Sequence, residues 1–314
     1  MTPRCLYCYQ PLLQGETDFH TTCSKKMFGV TTVPEMPFNE NDLDTLALEV
    51  IKTQTTVTGV QPKLSLHLAS ATHPNHVKRF TIVGMWGGYI LKPPSTHYPW
   101  LPEVEDLTMH LATLAKIKVA PHSLIRLQSG HLAYITRRTD RVKKNKLPME
   151  DMCQLTERMS EDKYNGAYEQ VAKAIQKYSV QPGLDTVNFC ELVLFSFLTG
   201  NADMHLKNFS LLQQPQTGWI LAPAYDLVAT ALVNEADDED LALTLNGRKK
   251  KLKRIDFTTA FTTMKLDKKQ QENIFRKMEK SFARWTAFIE ASFLNEEYQL
   301  KYKSLLTQRF ARIY

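Results

Sequence analysis

Residues Val187–Leu198 (Val-Asn-Phe-Cys-Glu-Leu-Val-Leu-Phe-Ser-Phe-Leu) are apolar on nearly every side. A helix of that composition is stable only when protein surrounds it, so this run marks the centre of a helical core. Thr199-Gly200-Asn201 is its stop, because glycine takes up φ > 0 without a steric penalty. The polar run 201–208 then reads as an exposed loop carried by a rigid helix. Phe209–Leu212 and Trp219–Ala222 read as two short strands, with Gln213–Gly218, containing Pro215 and Gly218, as the turn between them. A hairpin there returns the chain, so that Asn208 and Asp226 can meet at one open end.

That geometry matters because of the residue types. Asp203 and Asn208 are separated by four residues, and Asp226 follows the hairpin. Asp-x4-Asn followed by Asp is the order a protein-kinase-type phosphotransferase uses. The first aspartate orients or deprotonates the acceptor hydroxyl, and the other two residues hold Mg²⁺ against the triphosphate of ATP. Oxygen donors suit Mg²⁺, which keeps several waters and binds phosphate. His205 and Lys207 are close enough to reach a transferring phosphate or to brace the loop. The same residues also fit an Asn/Asp-rich loop with no chemistry.

Upstream, Gly87–Lys92 followed by Pro93-Pro94 reads as a strand that stops at a lysine able to bind α- and β-phosphates. Glu103–Ala115 has a helical period, with Val104, Leu107, Leu111 and Leu114 on one stripe. Glu105 in its first turns is the natural ion-pair partner for Lys92. A helix N-terminus also favours a glutamate on electrostatic grounds alone. Thr56–Leu66 fits a loop over the phosphates, although it is neither a Walker A sequence nor G-x-G-x-x-G.

A chain of 314 residues with 23% charged residues is long enough for one large core or for two lobes around a nucleotide cleft. It shows no apolar run of about 18 residues and no signal-peptide core, so the expectation is a cytoplasmic bacterial protein with no membrane partner. Export by a dedicated secretion system is the alternative. The net charge is +6, with basic clusters at Arg137–Lys146 and Arg248–Arg254. Without interleaved aromatics these read as solvated loops, and no direct nucleic-acid partner is expected. The acidic run Glu235–Asp240 also reads as a loop. Cys153 and Cys190 sit in apolar surroundings and read as core.

The N-terminus carries a separate signal. Cys5-x2-Cys8 precedes His20-x2-Cys23, three thiols and one imidazole at paired spacings that match a tetrahedral structural Zn²⁺ site. Reduced cysteines without metal are the other reading. Three parts result: residues 1–30 as a zinc-binding cap, 31–135 as a β-rich N-lobe with one helix, and 136–314 as a helical C-lobe. Tyr168–Tyr178, Val187–Leu198, Lys268–Phe293 and Glu296–Arg312 are its helices, and they carry the catalytic loop and the metal-binding hairpin.

These residues resemble a known family. Thr58-Gly59-Val60-Gln61-Pro62-Lys63, Ile90-Leu91-Lys92, Thr139-Asp140-Arg141, Met149–Gln154, Gly200–Phe209 and Pro223–Asp226 are similar to the HipA toxin kinases over residues 45–310. The resemblance implies an α+β, two-lobed protein-kinase-like fold and a non-specific serine/threonine protein kinase. Such a kinase uses ATP and Mg²⁺ and inhibits growth by phosphorylating an aminoacyl-tRNA synthetase. It carries Asp203 over as catalytic residue, Asn208 and Asp226 as metal ligands and Lys92 as the phosphate-binding lysine. Thr58, Gly59, Val60, Gln61 and Lys63 fall in the phosphate loop, and Arg137 and Thr139 fall at the adenine hinge. There the chain departs from the family, since Arg137-Arg138-Thr139 replaces Glu-Arg-Phe.

Thr56 and Thr58 match the family's autophosphorylated positions, where added charge repels ATP or ejects the loop. The chain begins too close to its phosphate loop to hold the N-terminal subdomain of full-length HipA. It therefore resembles the short HipT-like type, in which that subdomain is a separate HipS-like protein encoded with a HipB-like DNA-binding antitoxin. Three other readings stay open: a pseudokinase-type binding module, a small-molecule phosphotransferase, and a zinc-clipped nucleic-acid binder.

Overall fold

The computed structural model describes residues 3–43, 45–46, 63–69, 77–83, 86–142, 145–234 and 238–314. The chain divides into two compact units. The first comprises residues 1–106, 120–138 and 291–293, and the second comprises 107–119, 139–290 and 294–314.

The first unit is built on a five-stranded antiparallel sheet. Its spatial order is Arg79–Ile82, Leu64–Ala69, Tyr89–Lys92, Leu132–Arg137, His122–Arg126. Leu64 pairs with Leu91 and Leu91 with Ile135, so three apolar residues cross the sheet in one row. Leu64, Leu66, Phe80, Leu91, Leu124 and Ile135 form its core, with Cys5, Leu6, Met27 and Phe28 from the N-terminal segment packed on them. The helix Thr21–Phe28 in that segment ends at Gly29 in the left-handed conformation. The helix Leu101–Leu114 departs from the single apolar stripe its sequence predicts. Glu103, Glu105, Asp106 and Thr108 are buried along with Val104, Leu107 and Leu111. Glu105, Asp106 and Thr108 face partners rather than water.

The second unit is mainly helical. Pro182–Thr199 runs through its centre, with Phe189, Phe195 and Phe197 fully buried. Each such burial contributes about 1.5–3 kcal/mol. Pro182 starts the helix, where its missing N–H is no loss. Phe195 meets Trp285 edge-on at 5.5 Å, Phe197 meets Phe257 at 5.1 Å, and Trp285 donates from Nε1 to the Leu111 carbonyl at 2.8 Å. The helices Tyr168–Tyr178, Lys268–Glu290 and Glu296–Phe310 lie where their periodicity places them. A further helix, Arg254–Thr263, has no counterpart in the sequence reading. A three-stranded sheet pairs Gly218–Leu221 with Ser210–Gln214, and the latter with Met149–Asp151.

The basic cluster Arg248–Arg254 is not merely solvated. Lys249 pairs with Glu239 at 3.4 Å, and Lys250 pairs with Asp238. Both acids come from the acidic run. Asp240 from the same run is buried, and it accepts from Arg309, from both terminal nitrogens of Arg312 and from the Leu252 N–H at 2.9 Å. Burial alone would raise the Asp240 carboxyl. The hydrogen bonds from Arg312 and Leu252 and the charge of Arg309 outweigh it and hold the group below its ordinary value. A depressed folded value means a stabilisation present above the unfolded pKa and lost as pH falls through the folded one. Asp240→Asn leaves two guanidinium groups without their counter-charge. It is expected to cost about 3–5 kcal/mol in urea unfolding at neutral pH, and to flatten the acid limb of the stability profile relative to wild type.

Candidate active site

In the second unit the buried helix stops at Gly200, whose φ of +70° lies in the left-handed region. A Cβ there would stand 2.7 Å from Leu305 Cδ2 and 3.1 Å from Ala231 Cβ, so only glycine fits. The loop that follows is not the exposed one expected. Asn201, Ala202, Met204, His205, Leu206 and Asn208 are all buried, while the Asp203 side chain keeps 47% of its exposure. Its polar groups are satisfied from several directions. Ala202 donates its N–H to Thr230 Oγ1 at 2.8 Å, and Asp203 donates its N–H to Asn201 Oδ1 at 3.1 Å. Tyr168 donates its hydroxyl to the Met204 carbonyl at 3.0 Å.

The Asp203 carbonyl is the hub. It accepts the His205 N–H at 2.8 Å and Asn208 Nδ2 at 2.8 Å. The second bond commits the Asn208 amide nitrogen to the loop and leaves the amide oxygen, the atom a hard cation needs. Tyr164 donates its hydroxyl to Asp203 Oδ1 at 2.5 Å. The buried His205 ring meets Tyr164 edge-on at 4.9 Å, and its Nε2 lies 3.9 Å from Asp203 Oδ1. His205 is therefore placed as a brace against Tyr164 and Asp203.

Lys207 is held from the side. Its ammonium lies 3.2 Å from Asp151 Oδ2 and 3.3 Å from Ser160 Oγ. Asp151 also begins the short helix Met152–Leu155. Its carboxylate accepts the Gln154 N–H at 3.0 Å, and Gln154 Oε1 accepts the Asp151 N–H at 2.9 Å. That reciprocal pair is a capping box. The Glu150–Gln154 motif thus anchors Lys207. Tyr225 donates its hydroxyl to the Lys207 carbonyl at 3.1 Å and also meets Ser210 Oγ at 2.5 Å. One hydroxyl has one proton, so Ser210 donates in the second bond. The next residue, Asp226, has φ +55°, a strained conformation for a non-glycine residue, and it follows directly from the tyrosine tied to the loop.

The first unit holds the other set. Lys92 Nζ lies 2.5 Å from Glu105 Oε1, with both side chains at 3% exposure or less. The expected ion pair is therefore formed, and it is buried. Lys92 also stands over the Tyr134 ring at 5.4 Å, its direct neighbour across the sheet. Arg137 ends the strand Leu132–Arg137, exposed, with its N–H donated to the Pro121 carbonyl. Thr139 lies in the second unit, and Lys63 is exposed just before the strand Leu64–Ala69. Thr56, Thr58, Gly59, Val60 and Gln61 lie outside the described residues. Cys5, Cys8, His20 and Cys23 converge at the N-terminus.

Sequence reasoning passes over Tyr164, Asp151 as a side chain, Tyr225 and Tyr134. Asp151 is within its reach through the capping-box spacing Asp-x2-Gln ahead of an apolar residue. The tyrosines give no signal, because each reaches its partner across a large separation in sequence.

A profile of the HipA-like C-terminal domain matches residues 55–286. A Haemophilus influenzae protein named "Putative kinase" is 32% identical over 230 residues, 68% of this chain and 64% of that protein. A Sinorhizobium fredii protein named "Putative kinase Y4mE" is 32% identical over 151 residues, 45% of this chain and 36% of that protein. The chain thus spans less than two thirds of the length of these relatives. A solved HipA from Shewanella oneidensis MR-1, determined with HipB and its operator DNA, matches with TM-score 0.69 at 19% identity, over 96% of this chain and 80% of that one. The Helicobacter pylori proinflammatory kinase CtkA matches with TM-score 0.54 at 15% identity, over 80% and 93%. At these identities the two structures speak for the fold, which is α+β, two-lobed and kinase-like. Among the described residues no helix is long and apolar enough to cross a membrane. The chain belongs to the HipA-like C-terminal domain family.

Proposed function

We propose that the protein is an ATP-dependent serine/threonine protein kinase. The observation that carries this reading is the Asp203–Asn208 loop. It exposes one carboxylate and commits the nitrogen, not the oxygen, of the asparagine amide. Asp203 orients the acceptor hydroxyl and takes its proton as the oxygen attacks the γ-phosphorus in line, while the bond from that phosphorus to the β,γ-bridging oxygen breaks and ADP leaves. Asn208 and Asp226 would supply oxygen ligands for Mg²⁺, which when bound would offset charge on the phosphates. Lys92, held by Glu105, contributes a fixed positive charge to the α- and β-phosphates. Lys63 lies at the end of the segment that resembles the phosphate loop. Lys207, pinned by Asp151, supplies a second cation on the same loop as Asp203, and His205 acts as a positioning residue. By the family resemblance Arg137 and Thr139 match the adenine-binding segment, where contacts run mainly through the backbone.

The family resemblance supports a toxin of a HipBST-like toxin–antitoxin system, HipT-like in type, with an aminoacyl-tRNA synthetase as protein substrate. It supports HipS-like and HipB-like proteins as partners and Thr56 or Thr58 as the autophosphorylation site. The Shewanella HipA solved with HipB and operator DNA is in keeping with a partner of that kind.

Purified wild type and Asp203→Gln, each incubated with Mg²⁺, γ-labelled ATP and a cell extract, test the reading. Loss of a general base is expected to lower transfer about 100- to 10,000-fold. Folding stability should stay within about 1 kcal/mol, because the side chain is half-exposed. The labelled wild-type chain should yield phosphopeptides at Thr56 or Thr58. Labelling of equal strength in the variant would refute the role of Asp203.

Asp151→Asn separates anchoring from capping, since asparagine caps a helix as well as aspartate does but carries no charge. Turnover is expected to fall about tenfold, with the KM for ATP nearly unchanged and stability within about 1 kcal/mol.

A further inference from the structure

Cys5, Cys8, His20 and Cys23 each place one ligand atom within 4.8 Å of the others. None of the cysteines is in a disulfide. Cys8 Sγ lies 3.3 Å and Cys23 Sγ 3.7 Å from His20 Nδ1. Tetrahedral zinc, with bonds of about 2.3 Å to sulfur and about 2.0 Å to nitrogen, sets neighbouring ligand atoms roughly 3.5–3.8 Å apart. The imidazole is already in the required tautomer. His20 Nε2 lies 2.9 Å from the Pro11 carbonyl, an oxygen that can only accept, so Nε2 carries the proton. In the neutral ring Nδ1 then carries the lone pair, and it faces two sulfurs. A backbone carbonyl holding the distal N–H is the usual way a metal-bound histidine is oriented. Cys5 Sγ accepts the His20 backbone N–H at 3.4 Å, which suits a thiolate.

This knuckle is fastened to the sheet and to one helix end within the first unit. The Leu6 carbonyl accepts the Leu124 N–H at 3.3 Å, from the edge strand His122–Arg126. Arg126 grips Asp18 through Nε and Nη2 at 3.0 and 2.8 Å. Tyr9, one residue past Cys8, has φ +63° and donates its hydroxyl to Asp106 Oδ2 at 2.8 Å. Asp106 Oδ1 in turn lies 2.6 Å from His122 Nδ1. Asp106 follows Glu105, the residue paired with Lys92.

We propose that Cys5, Cys8, His20 and Cys23 bind one structural Zn²⁺, and that the zinc-held knuckle fastens, through Tyr9 and Asp106, the helix end Leu101–Asp106 that carries Glu105. The metal lowers the freedom of residues 5–23, and Tyr9 transmits that order to Asp106. This inference is independent of phosphoryl transfer, and its test reads no activity.

The full chain, purified without chelator, should contain about one zinc per molecule, and cobalt exchange should give thiolate charge-transfer and tetrahedral d–d bands. Hydrogen exchange is then compared between the zinc-loaded and chelator-stripped protein. Amides of Leu101–Asp106, as well as of residues 5–23, should exchange about tenfold more slowly when zinc is bound. Tyr9→Phe should keep its zinc and lose the added protection of Leu101–Asp106. Less than about a tenth of an equivalent of zinc, with no cobalt spectrum after reconstitution, would overturn the site. Bound metal with unchanged exchange at Leu101–Asp106, or full protection in Tyr9→Phe, would overturn the fastening.

Discussion

The backbone carbonyl of Asp203 is the point on which the candidate chemistry of the second unit depends. It accepts from the His205 N–H and from the Asn208 amide, and so closes the segment 203–208 on itself. With the amide nitrogen occupied, the asparagine presents an oxygen, and with the loop closed, the aspartate side chain is left toward water. The outer supports divide the rest between them. Thr230 holds the loop entrance, Tyr164 the carboxylate, Asp151 the lysine, and Tyr225 the exit. A loop fixed this way needs little reorganisation when a charged ligand arrives, and that is the main advantage of a preorganised polar site over water.

The first unit is organised around a different constraint. A lysine and a glutamate at 3% exposure or less are costly to desolvate, and replacing such a pair with apolar residues is often neutral or stabilising. Its presence in the core of a sheet-and-helix unit therefore points to use rather than to stability. Tyr134 beneath the ammonium reduces the cost of burial. The N-terminal knuckle reaches the same helix end through Tyr9. One small segment thus bears on the placement of the paired carboxylate.

Much of this is legible in the sequence where the signal is local. The hairpin can be read to within two residues because Pro215 and Gly218 punctuate it. Gly218 takes φ +105°, a value that needs glycine. The Lys92–Glu105 pair follows from a strand end and a helix start. The helix Arg254–Thr263 escapes notice because Arg-Ile-Asp-Phe-Thr-Thr-Ala-Phe-Thr-Thr is rich in β-branched residues of modest helix propensity. Its burial of Phe257 and Phe261 makes up the difference. The burial of residues 201–208 is hidden for a related reason. Polarity predicts exposure only when partners are absent, and here they come from residues far along the chain. The pairing of the acidic run with Arg248–Arg254 likewise depends on a fold that brings Asp238 and Glu239 back beside Lys250 and Lys249.

The central claim is that Asn208 and Asp226 hold the metal that carries the triphosphate, and calorimetric titration of ATP with and without Mg²⁺ tests it most directly. In the wild type Mg²⁺ should strengthen ATP binding by about tenfold or more, which is about 1.4 kcal/mol. In Asp226→Asn that gain should vanish, while metal-free nucleotide binds as before. An equal gain from Mg²⁺ in both proteins would contradict the account.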